Sequence, residues 1–337
     1  MKILIRTDGG LALGNGHIIR MLALAQKLKE MDFQIAFAIS KDQFWINRIE
    51  KIGYTVYKLT PSSEGINRIS DIIIQGSFTH LVYDTRNELS KTDLEQIKIK
   101  TGVVIVVIDT PEDTRLVANV ALYPPLLKIH EWNWEGFKGK LYSGWEYVLL
   151  RQEFLEIITK QKKSIKKLLL SFGSTDPYQL TEKTLKVISD HENIFNGWDI
   201  IVLVGPQFNR LESINTMLGF KKLIVEVLQA PDNMANLFAT ADLAIIAFGV
   251  TAYELASCHV PFFAISPTLD HENSAKLFEE HKLGISLGQI DGFDQRLVEA
   301  MINHSKLENQ VNTNFKFDKE HLICNYDKII KAIINYA

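Results

Sequence analysis

The residue types and spacing richest in chemistry are Gly14-Asn15-Gly16-His17-Ile18-Ile19-Arg20. They follow a short apolar run, residues 3–6, and the loop Thr7-Asp8-Gly9-Gly10-Leu11-Ala12-Leu13, which reads as a strand turning through glycines into a helix over residues 16–31. Four glycines, Gly9, Gly10, Gly14 and Gly16, let the backbone come close to a ligand. The first N–H groups of the helix and its dipole favour negative charge there. The same positive end disfavours an imidazolium, so His17 is expected as a neutral ring able to take a proton, which is the work of a general base. A histidine that only caps or packs the loop fits the same letters. Arg20, one turn on, shares the face of His17 and suits fixing the loop, meeting a diphosphate or forming a salt bridge. A dinucleotide fingerprint is disfavoured: G-x-G-x-x-G requires glycine where Ile19 stands, and no acidic ribose ligand is obvious after the second strand.

A second constellation is Phe248-Gly249-Val250-Thr251-Ala252-Tyr253-Glu254-Leu255-Ala256. An apolar strand, residues 243–247, again ends in a glycine turn that feeds a helix, a geometry suited to a diphosphate. Glu254, about one turn into that helix, can accept hydrogen bonds from two vicinal hydroxyls, the arrangement a ribose presents. The plain alternative is a solvated helix glutamate. The third constellation, Ser171-Phe172-Gly173-Ser174-Thr175-Asp176-Pro177, offers backbone and hydroxyl donors from Gly173, Ser174 and Thr175. It also fits a simple strand-to-helix turn with Asp176 as N-cap and Pro177 in the first helical position, and a helix from about Tyr178.

The elements that must position these residues alternate between strand and helix. Apolar runs at residues 33–39, 79–84 and 103–109 look like parallel strands covered on both faces, and two of them end in aspartate, Asp84 and Asp109. Asp109 reads as a turn cap or a ligand. The pattern restarts at residues 166–171 and continues at 200–204, 223–227, 243–247 and 262–265. A chain of 337 residues exceeds one compact core. The expected division is an N-terminal Rossmann-like domain over 1–150, a charged linker over 151–165, a C-terminal Rossmann-like domain over 166–316 and a closing helix over 317–337. Two αβα layers of this kind are expected to face each other across a cleft, with ligands at the carboxyl ends of the strands. The aromatic residues Trp132, Trp134 and Trp145, with Tyr123, Tyr142 and Tyr147, read as core or hinge packing near the domain junction.

Composition excludes other classes. The net charge of −3 argues against non-specific binding to nucleic acid or to an anionic membrane. The N-terminal apolar run is too short for a signal peptide, and no stretch approaches the roughly 18 apolar residues of a membrane helix. The cytoplasm is the expected location. Cys258 and Cys324 have no metal-type spacing and read as buried reduced thiols. No D-x-D sequence occurs, so no metal is expected on a diphosphate, and no cofactor is called for. Oligomeric state is not written in these residues.

Taken together, the motifs resemble the UDP-sugar hydrolases of pseudaminic acid biosynthesis and their spore-coat polysaccharide relatives. More distantly, they resemble the UDP-N-acetylglucosamine transferase of peptidoglycan synthesis. The resemblance runs from Met1 to about Gly288 and is most specific in Ile5-Arg6-Thr7-Asp8-Gly9-Gly10 and Gly14 through Arg20. It implies a GT-B fold, UDP held by the C-terminal domain, and His17 activating water against the anomeric carbon, so that the sugar C1–O bond breaks and UDP leaves. In that picture backbone donors at Gly173, Ser174 and Thr175, and at Gly249, Val250 and Thr251, stabilise the diphosphate, while Glu254 binds the ribose. The sugar side would comprise Asp8, Gly14, Gly16, Arg20, Asp84 and Arg86 from the first half, with Tyr253, Asp270 and His271 from the second. This chain departs from the family pattern in two places. Asp84-Thr85-Arg86 stands where an Asp-His-Tyr type turn is usual, and Tyr253 stands where some members carry an amide. On the same scaffold a glycosyltransferase would use His17 on an acceptor hydroxyl, and a non-catalytic sugar-nucleotide binding protein would use neither.

Overall fold

The computed structural model describes residues 1–10, 14–40, 42–59, 65–86, 88–126, 129–155, 166–219, 223–304, 315, 317 and 319–336. The chain divides into two compact units, Met1–Arg151 with His321–Ala337, and Gln152–Glu320.

The first unit runs β1 (Lys2–Thr7), α1 (Gly16–Glu30), β2 (Gln34–Ser40), α2 (Gln43–Lys51), β3 (Thr55–Leu59), α3 (Gly65–Gly76), β4 (His80–Asp84), α4 (Lys91–Thr101), β5 (Val104–Ile108), β6 (Val120–Tyr123) and β7 (Lys140–Ser143). Its parallel sheet has the order β3-β2-β1-β4-β5-β6-β7. Successive strand residues point to opposite faces. Ile3, Leu4 and Ile5 are all fully buried, so both faces of the sheet are covered. The helix ends obey local chemistry. Ser90 and Asp93 form a reciprocal capping box at the start of α4, and Gly102 closes that helix at φ 67°.

The second unit runs β8 (Lys166–Ser171), α5 (Leu180–Asp190), β9 (Trp198–Val204), α6 (Leu211–Met217), β10 (Ile224–Gln229), α7 (Met234–Thr240), β11 (Leu243–Ala247), α8 (Val250–Ser257), β12 (Phe262–Ser266), α9 (Leu269–Glu280), β13 (Ile285–Gln289) and α10 (Phe293–Ile302). The parallel order is β10-β9-β8-β11-β12-β13. Leu168, Leu169 and Leu170 are fully buried in succession, again the mark of a doubly covered sheet.

A last helix, α11 (Lys319–Ile334), packs on the first unit: Asn325 donates to the Trp145 carbonyl at 2.8 Å, and the Tyr326 hydroxyl donates to the Leu150 carbonyl. Of the expected linker, residues 156–165 lie outside the described residues, and Gln152–Leu155 form a short 3-10 helix within the second unit. Trp132 and Trp134 are half-buried and pack against the core of the first unit. Trp132 stacks on Trp134 at 6.3 Å, Tyr123 meets both edge-on, and Arg115 lies over both indoles. Cys324 is exposed, contrary to expectation, because its place on α11 points away from the buried stripe of Leu322, Tyr326, Ile329 and Ile333. Four strands were not read from the sequence: β3, β6, β7 and β13. They are short, and three of them lack a continuous apolar run: β3 carries Lys58, β7 opens on Lys140 and β13 contains Gly288. Among the described residues, no helix is long and apolar enough to cross a membrane.

Candidate functional site

In each sheet the chain builds outward in one direction and then returns to build in the other. The first reversal lies between β1 and β4, the second between β8 and β11. Such switch points leave a crevice at the carboxyl ends of the two central strands. The sequence motifs fall at both of them.

In the first unit, Thr7 at the end of β1 lies in register with Asp84 at the end of β4. His17 occupies the first turn of α1 and turns its ring onto Asp84, with Nδ1 2.6 Å from Oδ1. An ionised carboxylate can only accept, so Nδ1 carries the hydrogen and donates it. In the neutral ring Nε2 then keeps its lone pair. A carboxylate behind an imidazole in this way fixes both ring orientation and tautomer.

Asp84 is fully buried and also receives the fork of Arg20, Nε to Oδ2 at 2.7 Å and Nη2 to Oδ1 at 2.6 Å. Burial pushes the Asp84 carboxyl up, but the Arg20 and His17 charges and hydrogen bonds outweigh it and hold the group well below the usual carboxylate range. Burial likewise opposes the charge on Arg20, and Asp84 and Asp109 more than restore it. The remaining Arg20 nitrogen, Nη1, donates to Asp109 Oδ2 at 2.9 Å. Of the jobs its spacing allowed, Arg20 performs the salt bridge. Asp109 follows β5 in left-handed backbone at φ 49°, a conformation aspartate tolerates better than most residues. Arg86 closes on it from the other side, donating to the Asp109 carbonyl and, at 3.2 Å, to its carboxylate.

The glycine loop is held by Asn15, whose Oδ1 accepts from the Gly10 N–H at 3.0 Å and from the Trp45 indole at 2.8 Å. Gly14 stands at φ 72° with open space around its α-carbon, and Gly16 begins α1. Leu11, Ala12 and Leu13 lie outside the described residues. Asp8 is drawn the other way. It pairs with the fully buried Arg6 and accepts from the Ser40 N–H at 2.8 Å, while Arg6 also donates to Glu88 Oε1 from Nε at 3.0 Å.

In the second unit, Ser171 at the end of β8 lies in register with Ile246 of β11. Gly173 follows at φ 88°. Gly205, after β9, packs so tightly on Ser174 that an added Cβ would fall inside van der Waals contact. Asp176 caps α5 from four residues upstream, accepting from the N–H groups of Leu180 and Thr181 at 2.8 Å each. This corrects the sequence reading. Asp176 stands at φ 44° and Gln179 at φ 56°, so Pro177 and Tyr178 form a turn and the helix starts at Leu180. On the other central strand, Gly249 precedes α8 with no side-chain cap, so the first N–H groups, those of Val250 and Thr251 among them, open onto the turn. Glu254 is 3% exposed, which excludes the solvated-glutamate reading. Tyr253 is packed into the core against Phe278, ring centroids 4.8 Å apart, and against Phe248. Phe248 also meets the ring of His271, whose Nδ1 lies 2.9 Å from the Thr268 hydroxyl. The start of α9, with Asp270 exposed in its first turn, is thereby held beside the Gly249 turn. Among the described residues, no group of three or more metal-type ligands comes together.

The Asp84 orientation of His17 and the part played by Asp109 were missed from sequence. The usable signal was that two apolar strands each end in aspartate.

No protein-family model matches the chain. Among curated proteins it is 29% identical over 278 residues to the uncharacterized protein MJ1062 of Methanocaldococcus jannaschii, covering 77% of this chain and 54% of that protein. It is 30% identical over 182 residues to the UDP-2,4-diacetamido-2,4,6-trideoxy-beta-L-altropyranose hydrolase of Campylobacter jejuni, covering 52% and 61%. It is 25% identical over 291 residues to the spore coat polysaccharide biosynthesis protein SpsG of Bacillus subtilis, covering 86% and 84%. The matches thus span little more than half the length of the first two relatives. Among solved structures, an S. aureus MnaA–UDP co-structure superposes with a TM-score of 0.69 at 11% identity, covering 100% of this chain and 97% of that one. Acinetobacter baumannii MurG superposes with a TM-score of 0.63 at 13% identity, covering 99% of each chain. At such identities the likeness shows the fold alone, and that fold is GT-B: two Rossmann-like αβα units.

Proposed function

Since this chain is a relative of the UDP-diacetamido-trideoxy-altropyranose hydrolase and of SpsG, on a GT-B scaffold, we propose that it hydrolyses a UDP-linked diacetamido-trideoxy sugar during surface-glycan biosynthesis. The observation that carries the proposal is the His17–Asp84 contact: a buried carboxylate holds Nδ1–H at 2.6 Å, so Nε2 is left as the base. In the proposed step Nε2 removes a proton from water, the water oxygen attacks C1, and the C1–O bond breaks with its electron pair leaving on UDP. Asp84 stabilises the imidazolium that forms and keeps the ring in place. UDP is a good leaving group, so the step needs no separate acid.

The second unit holds the nucleotide in this reading. The N–H groups of the Gly173–Thr175 turn and of the α8 N-terminus bind the diphosphate and meet the charge that develops on it. Glu254, on α8 and excluded from solvent, accepts from the ribose hydroxyls in this reading. Glu254→Gln is accordingly expected to weaken UDP binding about 10-fold or more by titration calorimetry, the scale of a hydrogen bond to a charged group. The same variant should bind 2′,3′-dideoxy-UDP no worse than the unaltered protein does. Equal losses for both nucleotides would remove Glu254 from ribose recognition.

The reaction is tested by incubating the purified chain with a panel of UDP-diacetamido-trideoxy sugars and no acceptor. Steady release of UDP and free sugar in equal amounts is expected. Turnover that begins only when an acceptor alcohol is added would make the chain a transferase, and binding without turnover would make it a carrier.

A further inference from the structure

We infer that Asp109 and Arg86 are positioning residues for His17, acting through Arg20 as a line of alternating charge that sets when the ring can take a proton. The inference rests on the reading of His17 as the base. The line runs Arg86, Asp109, Arg20, Asp84, His17. Its links are 3.2 Å from Arg86 to the Asp109 carboxylate, 2.9 Å from Asp109 to Arg20, 2.6 and 2.7 Å from Arg20 to Asp84, and 2.6 Å from Asp84 to His17.

A lone carboxylate at that distance would favour the imidazolium strongly, because an opposite charge within a few ångströms stabilises the charged form. Here Arg20 donates hydrogen bonds to both Asp84 oxygens, and its Nη2 lies 3.0 Å from His17 Nδ1. A charged ring would therefore face a like charge as well as an opposite one. That arrangement holds only while Arg20 stays where it is. Asp109 anchors it from a second strand end, so the guanidinium is fixed at once by a carboxylate at the end of β4 and one just past β5. Asp109 is in turn held in its left-handed backbone by Arg86, which grips its carbonyl and its carboxylate together. Arg86 is the position at which this chain departs from the pattern its sequence resembles, and the geometry gives the replacement a task.

Among the described residues, the charged groups paired around the ring are Arg20 on α1, Asp84 at the end of β4, Asp109 beyond Arg20, and Arg86 with Glu112 4.0 Å behind it. Arg6, Asp8 and Glu88 form a separate cluster around the end of β1. Alternation makes a signed forecast. Asp109→Asn keeps the shape and tolerates left-handed backbone, but removes a negative charge and leaves Arg20 less compensated. It disfavours the imidazolium. Arg86→Gln removes a positive charge, leaves Asp109 less compensated and favours the imidazolium.

The test follows the His17 ring by proton–carbon NMR in the intact chain, its signal assigned with His17→Asn, alongside the pH profile of kcat. Asp109→Asn should move the ring's titration midpoint down by about half a unit or more, and Arg86→Gln should move it up, as expected for charges at this range in a partly buried setting. The acid limb of kcat should follow in the same directions, with KM little changed. Unmoved midpoints, or shifts of the same sign in both variants, would overturn the inference, since a purely structural role predicts no sign alternation. Opposite shifts in a protein that hydrolyses no UDP-sugar would uphold the line while refuting the proposed reaction. Normal hydrolysis with unmoved midpoints would refute the line alone.

Discussion

His17→Asn is expected to slow release of UDP from the preferred UDP-sugar by about 10²- to 10⁴-fold, the usual contribution of a general base. UDP binding should remain within about twofold, because the proposed nucleotide contacts belong to the second unit. The expectation follows from position and partner together. His17 is in the first turn of α1, at the carboxyl end of β1, and its ring is held by a carboxylate that is itself fully buried. Asparagine keeps a donor for Asp84 and so preserves that contact, but it has no basic nitrogen. A variant with near-normal kcat and intact UDP binding would remove His17 from the chemistry. A variant that lost UDP binding as well would mean that the substitution had disturbed more than the base.

The second large effect concerns stability. Arg6→Met is expected to destabilise the first unit by about 3–5 kcal/mol, the range found when one partner is removed from a buried charge cluster. Arg6 is fully buried at the end of β1, and it ties together three segments by donating to Asp8, to Ser40 at 2.7 Å and to Glu88, and to the carbonyls of Thr7 at 2.8 Å and Ala38 at 3.1 Å. Burial works against its charge, and Asp8 and Glu88 reverse the balance so that the guanidinium is held charged. Methionine fills the stem's volume but leaves two carboxylates facing each other without a cation. In a thermal scan the transition of the first unit should fall by roughly 10 °C or more. Arg6→Lys, which keeps the charge without the fork, should lose less. A fall of only a degree or two for Arg6→Met would show that water reaches the cluster and that it does not organise the end of β1.

Much of the scaffold was legible because parallel strands with both faces covered are written as unbroken apolar runs. Residues 3–5, 168–170 and 243–247 are apolar throughout and left little else for the chain to do there. The glycine turn before His17 and the turn at Phe248-Gly249 were legible for the same local reason, since turn, helix start and candidate group are neighbours in sequence. What stayed hidden depends on which strands lie side by side. His17 and Asp84 are 67 residues apart, and they meet only because the chain reverses its winding between β3 and β4, so that β4 lands beside β1. Asp109 reaches Arg20 across 89 residues for the same reason. Arg86 was visible only as an unexpected residue, because its partner is supplied by the neighbouring strand. Asp176 shows a local failure. The letters Asp-Pro suggested a helix cap followed by a first helical position, but two left-handed residues, Asp176 and Gln179, delayed the helix to Leu180 while the carboxylate still capped it. Glu254 was undecided until its burial was known, since a helix glutamate carries no sign in the sequence of which way it faces.

In the proposed reaction, water activated by His17 attacks the anomeric carbon. The most direct measurement is to run the acceptor-free reaction in H2(18)O and weigh both products by mass spectrometry. One heavy oxygen in the released sugar and none in UDP is the predicted result, with both products lost together in His17→Asn. Heavy oxygen in the β-phosphate of UDP, or no release of either product across the panel while UDP still binds, would contradict it.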